Sequence, residues 1–312
     1  MRAPALALGS WITLADPASA PPERVVRAAL DAGIGFFDTA DVYDAGKAEE
    51  LLGAALAGVP RHHVVLATKA FWPMSENPND RGLSRKHLFE SVHASLRRMR
   101  TDYLDLFQCH RFDPEVPLEE TVRAFGDLMR QGKILYWGTS QWSAQNLRDA
   151  CRLCDALGVA RPISEQARFN LLCREVEPEV VPAARDLGLG FLWWSPLAQG
   201  VLTGKYAAGQ APPAGTRAAS ARRVGTFLEE ALKEPEVHAR VAKFLAVARA
   251  TGHSPAALAI SWCLDRVPGS TVLIGVTRLE QFRDNLAALD VKWTPELRAR
   301  VEAAFAGPAL EL

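Results

Sequence analysis

Ile34-Gly35-Phe36-Phe37-Asp38-Thr39-Ala40-Asp41-Val42-Tyr43, followed by Ala48–Ala57, decides how this chain is read. Ile34–Phe37 is a short apolar run of strand type. Asp38 closes it, Tyr43 lies in the loop beyond, and Ala48–Ala57 carries a helical pattern. An apolar strand followed at once by a helix is the building unit of a parallel sheet covered on both faces.

The unit recurs in both directions. Upstream, Ala5–Leu8 precedes Glu23–Asp31, where Val25, Val26, Ala29 and Leu30 repeat at helical spacing after Pro21-Pro22. Downstream, Val64–Ala67 leads through a loop with Pro73, Pro78 and Gly82 to the helix Lys86–Met99, with Ser84 placed to cap it. Tyr103–Gln108 precedes Leu118–Arg130, Ile134–Trp137 precedes Ala144–Leu157, and Ile163–Glu165 precedes Glu177–Leu187. Phe191–Trp194 precedes Glu236–Thr251 and a short helix around Ala256–Leu264, and Thr271–Ile274 precedes Leu279–Leu289. Eight such units in 312 residues predict an α/β protein with a closed (β/α)8 TIM barrel rather than a doubly wound sheet. Two features are additions. Ser195–Pro235, about forty residues rich in Pro, Gly and Arg, is a long loop after strand 7, and its low-complexity part Ala207–Ala221 reads as functional. Pro295–Ala306 is an extra C-terminal helix. No linker divides the chain, so residues 1–312 read as one domain.

Composition narrows the function. Lys plus Arg and Asp plus Glu are 36 each, a net charge of zero. That leaves no electrostatic footprint for nucleic acid or an anionic membrane, and it favours self-association, hence a homo-oligomer. Hydrophobic residues make up 48% of the chain, which excludes global disorder. Five scattered cysteines do not form a disulfide framework, and Cys151-x-x-Cys154 falls in a helical stretch with no second pair or nearby His. Arg2, Ala3–Leu8 and Ala18-Ser19-Ala20 imitate a leader peptide, but Asp16 and Pro17 break it. No apolar run approaches the roughly 20 residues of a membrane span. The expected location is cytoplasmic. No metal-ligand cluster stands out. No G-x-G-x-x-G follows the first strand, and Gly200–Tyr206 misses a P-loop by one residue of spacing and by Tyr206 after Lys205.

In a barrel of this kind, chemistry sits at the C-terminal ends of the strands. Asp38 ends the second strand, Lys69 ends the third, His110 follows the fourth, and Tyr43 stands beyond the second. Singly, each has a plainer reading: a turn cap, a surface cation, a rim polar group, an exposed aromatic. Those readings do not explain why the charges cluster where apolar strands end. Carbonyl reduction by hydride transfer explains it, because the developing alkoxide needs a proton donor. A tyrosine is a weak acid near pH 7 unless an ammonium such as Lys69 stabilises its phenolate and lowers its pKa. Asp38 would hold Lys69, and His110 would bind the carbonyl oxygen.

With Gly35–Tyr43, Gly46 and Ala48-Glu49-Glu50-Leu51-Leu52-Gly53 in view, the whole chain resembles the aldo-keto reductases. It is most similar to the β subunits of voltage-gated potassium channels and their bacterial reductase relatives. That likeness is carried by Arg81–His87, Tyr136–Ser143, Trp194–Ala198 and Gly204-Lys205-Tyr206. The resemblance implies catalytic roles for Asp38, Tyr43, Lys69 and His110, and NADPH/NADP+ as cofactor. Nicotinamide contacts fall on Ser140, Gln166 and Trp194, with Gln141 where the channel subunits carry Arg. Gly9, Ser10 and Trp11 border that site. Ser195, Leu197, Lys205 and Arg217 fall at the pyrophosphate, and Gly275, Thr277, Arg278, Gln281 and Asn285 at the adenosine end. Gly275–Arg278 also opens a helix at a barrel's usual phosphate position, where a cation suits a 2′-phosphate and so NADP over NAD. Trp11, Phe71, Trp72, Arg111 and Phe112 are candidates to line a pocket for an apolar or aromatic small-molecule carbonyl. Channel subunits usually carry Asn in place of His110, which favours an enzyme over the alternative, an NADP(H)-binding regulatory partner of a channel.

Overall fold

The structure, a computed structural model, describes residues 1–220, 227–308 and 310. Among these, eight strands close a barrel in chain order. They are β1 (Leu6–Gly9), β2 (Phe36–Asp38), β3 (Val65–Ala70), β4 (Leu104–Cys109), β5 (Ile134–Ser140), β6 (Ser164–Arg168), β7 (Gly190–Trp194) and β8 (Thr271–Ile274). The predicted TIM barrel is therefore correct. Its register runs parallel, with Phe37 opposite Leu66, Lys69 opposite Gln108, and Ser140 opposite Gln166. Every residue of β4 is buried, as parallel strands must be when helices cover one face and the barrel interior the other.

The helices follow from their apolar stripes. They are α1 (Pro22–Asp31), α2 (Lys47–Ala55), α3 (Arg85–Met99), α4 (Leu118–Arg130), α5 (Ala144–Leu157), α6 (Val180–Asp186), α7 (Phe227–Lys233), α8 (Pro235–Thr251), α9 (Pro255–Arg266), α10 (Leu279–Leu286) and α11 (Pro295–Ala304). In α4 the buried positions are Thr121, Val122, Ala124, Phe125, Gly126 and Leu128, while Glu119, Arg123 and Arg130 face outward. Phe125 stacks on Trp137 of β5 at 4.7 Å, which seats the helix on the sheet. Ser84 caps α3 by accepting the His87 N–H at 3.2 Å.

Two expectations need correction. β3, β5 and β6 run up to three residues further than their apolar runs. Polar side chains at a barrel rim are buried and hydrogen-bonded, so polarity does not end the backbone ladder there. The segment Ser195–Pro235 is also not one long loop. It holds 3₁₀ turns at Ala198–Thr203 and Arg217–Ala219, and α7, whose Phe227, Leu228 and Ala231 are buried. A Pro- and Gly-rich context hid that short apolar stripe. Residues 221–226, including the last of Ala207–Ala221, lie outside the described residues.

The chain divides into two compact units. The first comprises Met1–Ala167, Val176–Leu192 and Leu273–Leu279; the second comprises Arg168–Glu175, Trp193–Val272 and Glu280–Leu312. In the second, Phe169 packs between Trp193 at 4.6 Å and Trp262 at 5.0 Å, and Arg174 pairs with Glu302 at 2.6 Å. In the first, α2 meets the end of α3 so closely that a Cβ on Gly53 would lie 2.6 Å from Met99 Cα and 2.7 Å from its carbonyl oxygen. Gly53→Ala is therefore expected to destabilise the protein by about 1–3 kcal/mol. The roughly 1 kcal/mol of helix propensity that Ala gains over Gly does not prevent this. Denaturant unfolding checks it, and an Ala variant as stable as the parent contradicts the contact.

Candidate active site

Lys69 is fully buried on β3, and its ammonium has three protein partners. They are Asp38 Oδ1 at 2.6 Å, the Thr39 carbonyl at 2.7 Å and Tyr43 Oη at 3.4 Å. Three acceptors match the three protons of an ammonium. Burial disfavours its charge, but Asp38 and then Tyr43 outweigh this and hold the pKa above the ordinary lysine value. The four residues singled out on the first unit therefore form one constellation. His110 completes it, its ring 5.8 Å from that of Tyr43 and nearly perpendicular.

Two buried amides brace the acid. Asp38 Oδ2 accepts from Gln166 Nε2 at 2.9 Å and from Gln108 Nε2 at 3.2 Å. Gln166 thus reaches the carboxylate that anchors Lys69. Gln108 is a site residue that the sequence reading missed. Its signal was parity, because residues two apart share a face in extended chain, and Gln108 lies two before His110.

The imidazole of His110 is neutral at working pH. Burial, followed by the fields of Lys69 and Arg111, holds its pKa well below the usual histidine value. Nδ1 is buried without a hydrogen-bond partner. Tyr43 corrects an expectation. Burial raises its pKa above 10.0, and Lys69 only partly offsets this. The phenol therefore stays protonated, and the nearby Lys69 does not make Tyr43 a stronger acid than a free tyrosine.

The turn carrying Tyr43 is built from unusual backbone. Asp44, Ala45 and Gly46 take left-handed φ values of 50, 52 and 90°, reversing the chain into α2. Behind the turn lies a buried polar layer. Asp41 Oδ2 accepts from the Ser91 hydroxyl at 2.8 Å, and Glu49 accepts from Thr68 Oγ1 and from Arg98 Nε, each at 2.6 Å. Burial and then Glu49 push the pKa of Asp41 from 3.8 up to about 7. Folded Asp41 holds a proton that the unfolded chain releases between pH about 4 and 7, so its contribution lowers stability as pH rises through that window and levels off above it. Asp41→Asn is expected to exceed the parent in stability at pH 8 by about 1–3 kcal/mol, with the gain vanishing near pH 4. Urea unfolding at both pH values checks the sign.

Other residues of the first unit gather around the same rim. Ser10 donates its N–H to the Asp38 carbonyl at 3.0 Å and its hydroxyl to Thr39 Oγ1 at 2.8 Å, placing Trp11 next in the chain. Ser140 pairs with Gln166 in register, and Gln141, at φ 58°, donates its N–H to the Gln166 carbonyl at 3.0 Å. Glu165 supports that bend by accepting from the Trp142 N–H at 3.1 Å and from Thr139 Oγ1 at 2.5 Å. Phe71 and Trp72 meet edge to face at 5.1 Å, and Trp72 meets His110 at 6.2 Å. Phe112 turns aside and packs on Trp142 at 5.0 Å. Gly275, Thr277 and Arg278 follow β8, and the Thr277 carbonyl accepts from Ala20 at 2.8 Å. Among the described residues, no group of three or more His, Cys, Asp or Glu side chains is placed to hold a metal ion. All five cysteines are buried free thiols, and burial pushes Cys154 up to about 12.

Within the second unit, Trp194 ends β7 and is followed by a run of left-handed backbone, with φ 58° at Ser195, 47° at Ala198, 55° at Gln199 and 96° at Gly200. Such conformations cost about 1–3 kcal/mol each at non-glycine residues and occur where function demands them, including backbone N–H concavities that take anions. A side chain at Gly200 would collide with the Lys205 ammonium, so that cation lies directly on the turn. Leu197 is the N-cap of the 3₁₀ turn. Arg217 is held near it, since the Ala218 N–H donates to Tyr206 Oη at 3.4 Å. Gln281 and Asn285 sit on α10, Asn285 buried and Gln281 half-buried.

Among the described residues, no helix is long and apolar enough to cross a membrane. A profile described as "Aldo/keto reductase family" matches residues 5–305. The chain is similar to a "Probable voltage-gated potassium channel subunit beta" of Oryza sativa subsp. japonica, 41% identical over 309 residues that cover 97% of this chain and 93% of the relative. A protein of the same description from Arabidopsis thaliana is 39% identical over 295 residues, covering 93% and 89%. A "Putative voltage-gated potassium channel subunit beta" of Schizosaccharomyces pombe is 35% identical over 323 residues, covering 100% and 92%.

Proposed function

Because the chain belongs to the aldo/keto reductase family of oxidoreductases, we propose that it reduces aldehydes and ketones to alcohols with NADPH, Tyr43 serving as general acid. One observation carries the proposal. A fully buried ammonium, Lys69, bridges the Asp38 carboxylate and the Tyr43 hydroxyl beside a neutral His110. When bound, NADPH supplies a hydride to the carbonyl carbon. Tyr43 gives its phenolic proton to the carbonyl oxygen, and Lys69 stabilises the phenolate left behind. His110, neutral, donates one N–H to the same oxygen and orients the substrate. Asp38 offsets the burial of Lys69, and Gln108 and Gln166 hold Asp38 in place.

The residues fit the cofactor. Within the first unit, Ser140, Gln141 and Gln166 offer side-chain amides and a hydroxyl for a nicotinamide carboxamide; within the second, Trp194 offers an aromatic ring. The left-handed turn at Ser195–Gly200 with Lys205 and Arg217 has the donors and charge for a pyrophosphate. In the first unit, Arg278, exposed just before α10, suits a 2′-phosphate, with Gly275 and Thr277 leading up to it; in the second, Gln281 and Asn285 are polar side chains on α10 suited to the adenosine. The reading includes a cytoplasmic location and a homo-oligomer, for which size-exclusion chromatography is the check.

The deciding assay is NADPH oxidation with a generic aromatic aldehyde. Turnover is expected. The names of the relatives favour a second reading, a cofactor-binding regulatory partner of a channel. NADPH binding without turnover of any carbonyl, together with co-purification of a channel, supports that reading over the first.

A further inference from the structure

Arg111 follows His110 and stands at the edge of the candidate site. Its Nη1 donates to the His110 carbonyl at 2.5 Å, and its Cζ lies 5.5 Å from the centroid of the Trp72 ring. The Trp72 ring contacts His110, and His110 contacts Tyr43, so guanidinium, indole, imidazole and phenol form one continuous wall. A guanidinium carries five N–H donors, and this one uses one of them on protein. The half-buried arginines elsewhere in the same unit are matched differently. Arg61 pairs with Asp105 at 2.5 Å and Arg98 with Glu49 at 2.6 Å. Among the described residues, no carboxylate lies within ion-pair distance of Arg111. The acid whose field reaches it, Glu165, is fully buried, and burial pushes its pKa up to about 8, so it is neutral near pH 7.

A partly buried cation without a counter-charge is costly to keep. Lys69 cannot share that role, because Asp38 already neutralises it. The charge left over beside the groups that would meet a carbonyl is therefore that of Arg111. We propose that Arg111 anchors a carboxylate of the substrate, so that the preferred substrates are aldehydes or ketones that also carry a carboxylate. The planar fork takes both carboxylate oxygens, and Trp72 provides a flat face for the frame between the two groups. The proposal rests on the carbonyl-reductase reading above and adds the substrate class.

The test uses the full chain with NADPH and two substrates of similar shape, 4-formylbenzoate and its methyl ester, whose intrinsic difference in reactivity is the same for every variant. The readout is the ratio of their kcat/KM values in the parent, in Arg111→Gln and in Arg111→Lys. The parent is expected to prefer the acid by about tenfold or more, the effect of a hydrogen bond to a charged group. Arg111→Gln is expected to lower the ratio about tenfold from the parent's, and Arg111→Lys to retain part of the preference, since it keeps the charge and loses the fork. A ratio unchanged by Arg111→Gln overturns the proposal. So does an equal fall for both substrates with a raised Kd for NADPH, which would assign Arg111 to the cofactor. Failure of the reductase reading looks different, because neither compound is then turned over. In that event, binding of 4-formylbenzoate and its ester, followed by tryptophan fluorescence, still decides. Weaker binding of the acid alone in Arg111→Gln supports the anchor, and equal binding overturns it.

Discussion

Lys69→Met is expected to abolish nearly all aldehyde reduction, by about 10²–10⁴-fold in kcat, and to destabilise the fold by about 3–5 kcal/mol. Both effects come from one geometry. The ammonium is fully buried, and its three hydrogen bonds go to Asp38, the Thr39 carbonyl and Tyr43. Met matches the aliphatic stem but leaves Asp38 as a buried carboxylate with only the amides of Gln108 and Gln166 for partners. Removing one member of a buried pair is costly because the other charge stays behind. The phenolate formed at Tyr43 also loses its stabilising cation. The double variant Asp38→Asn with Lys69→Met separates the two effects. It removes the orphaned charge, so urea unfolding is expected to recover much of the stability, while NADPH oxidation stays at the level of the single variant. Recovery of activity with stability would mean that Lys69 acts only in folding.

Tyr43→Phe is expected to lower kcat by about 10²–10⁴-fold and to leave stability nearly unchanged. The hydroxyl makes one hydrogen bond, a long one of 3.4 Å to Lys69, so its loss removes little from the folded state. Its loss removes the proton donor entirely. Cofactor affinity, read by fluorescence titration with NADPH, is expected to stay within about twofold, since the phenol is needed only as the alkoxide develops. The parent's pH profile carries a related expectation. A proton donor works below its pKa and fails above it, and burial lifts that of Tyr43, so any decline in reduction attributable to Tyr43 is expected at higher pH than for a free tyrosine. Near-full activity in Tyr43→Phe would remove the assigned mechanism.

Much of the fold was open to reading because the barrel repeats one pattern. Each β→α unit alternates a short apolar run with a helical stripe, and both periods survive in the order of residues. Leu118–Arg130 and Ala144–Leu157 match their helices end for end. The placement of Asp38, Lys69 and His110 was legible for a related reason. A charge at the end of an apolar strand is conspicuous, and a barrel sends such ends to one rim.

The order of residues thus sufficed for the barrel, for the rim that carries Asp38, Tyr43, Lys69 and His110, and for the family to which the chain belongs. Everything that depends on mutual burial waited for the tertiary structure. Gln108 and Gln166 become braces only when parallel strands bring them against Asp38. Asp41 becomes a group that titrates near 7 only when α2 and α3 cover it. Tyr43 turned out less acidic than the nearness of Lys69 implied, because desolvation outweighs one favourable charge. Arg111 looked like any pocket arginine until no carboxylate among the described residues stood within ion-pair distance of it. The physical reason is common to all four. Local periodicity is set by neighbours along the chain, whereas pKa values and ion pairing are set by what surrounds a group in space, and folding brings that environment together from distant strands.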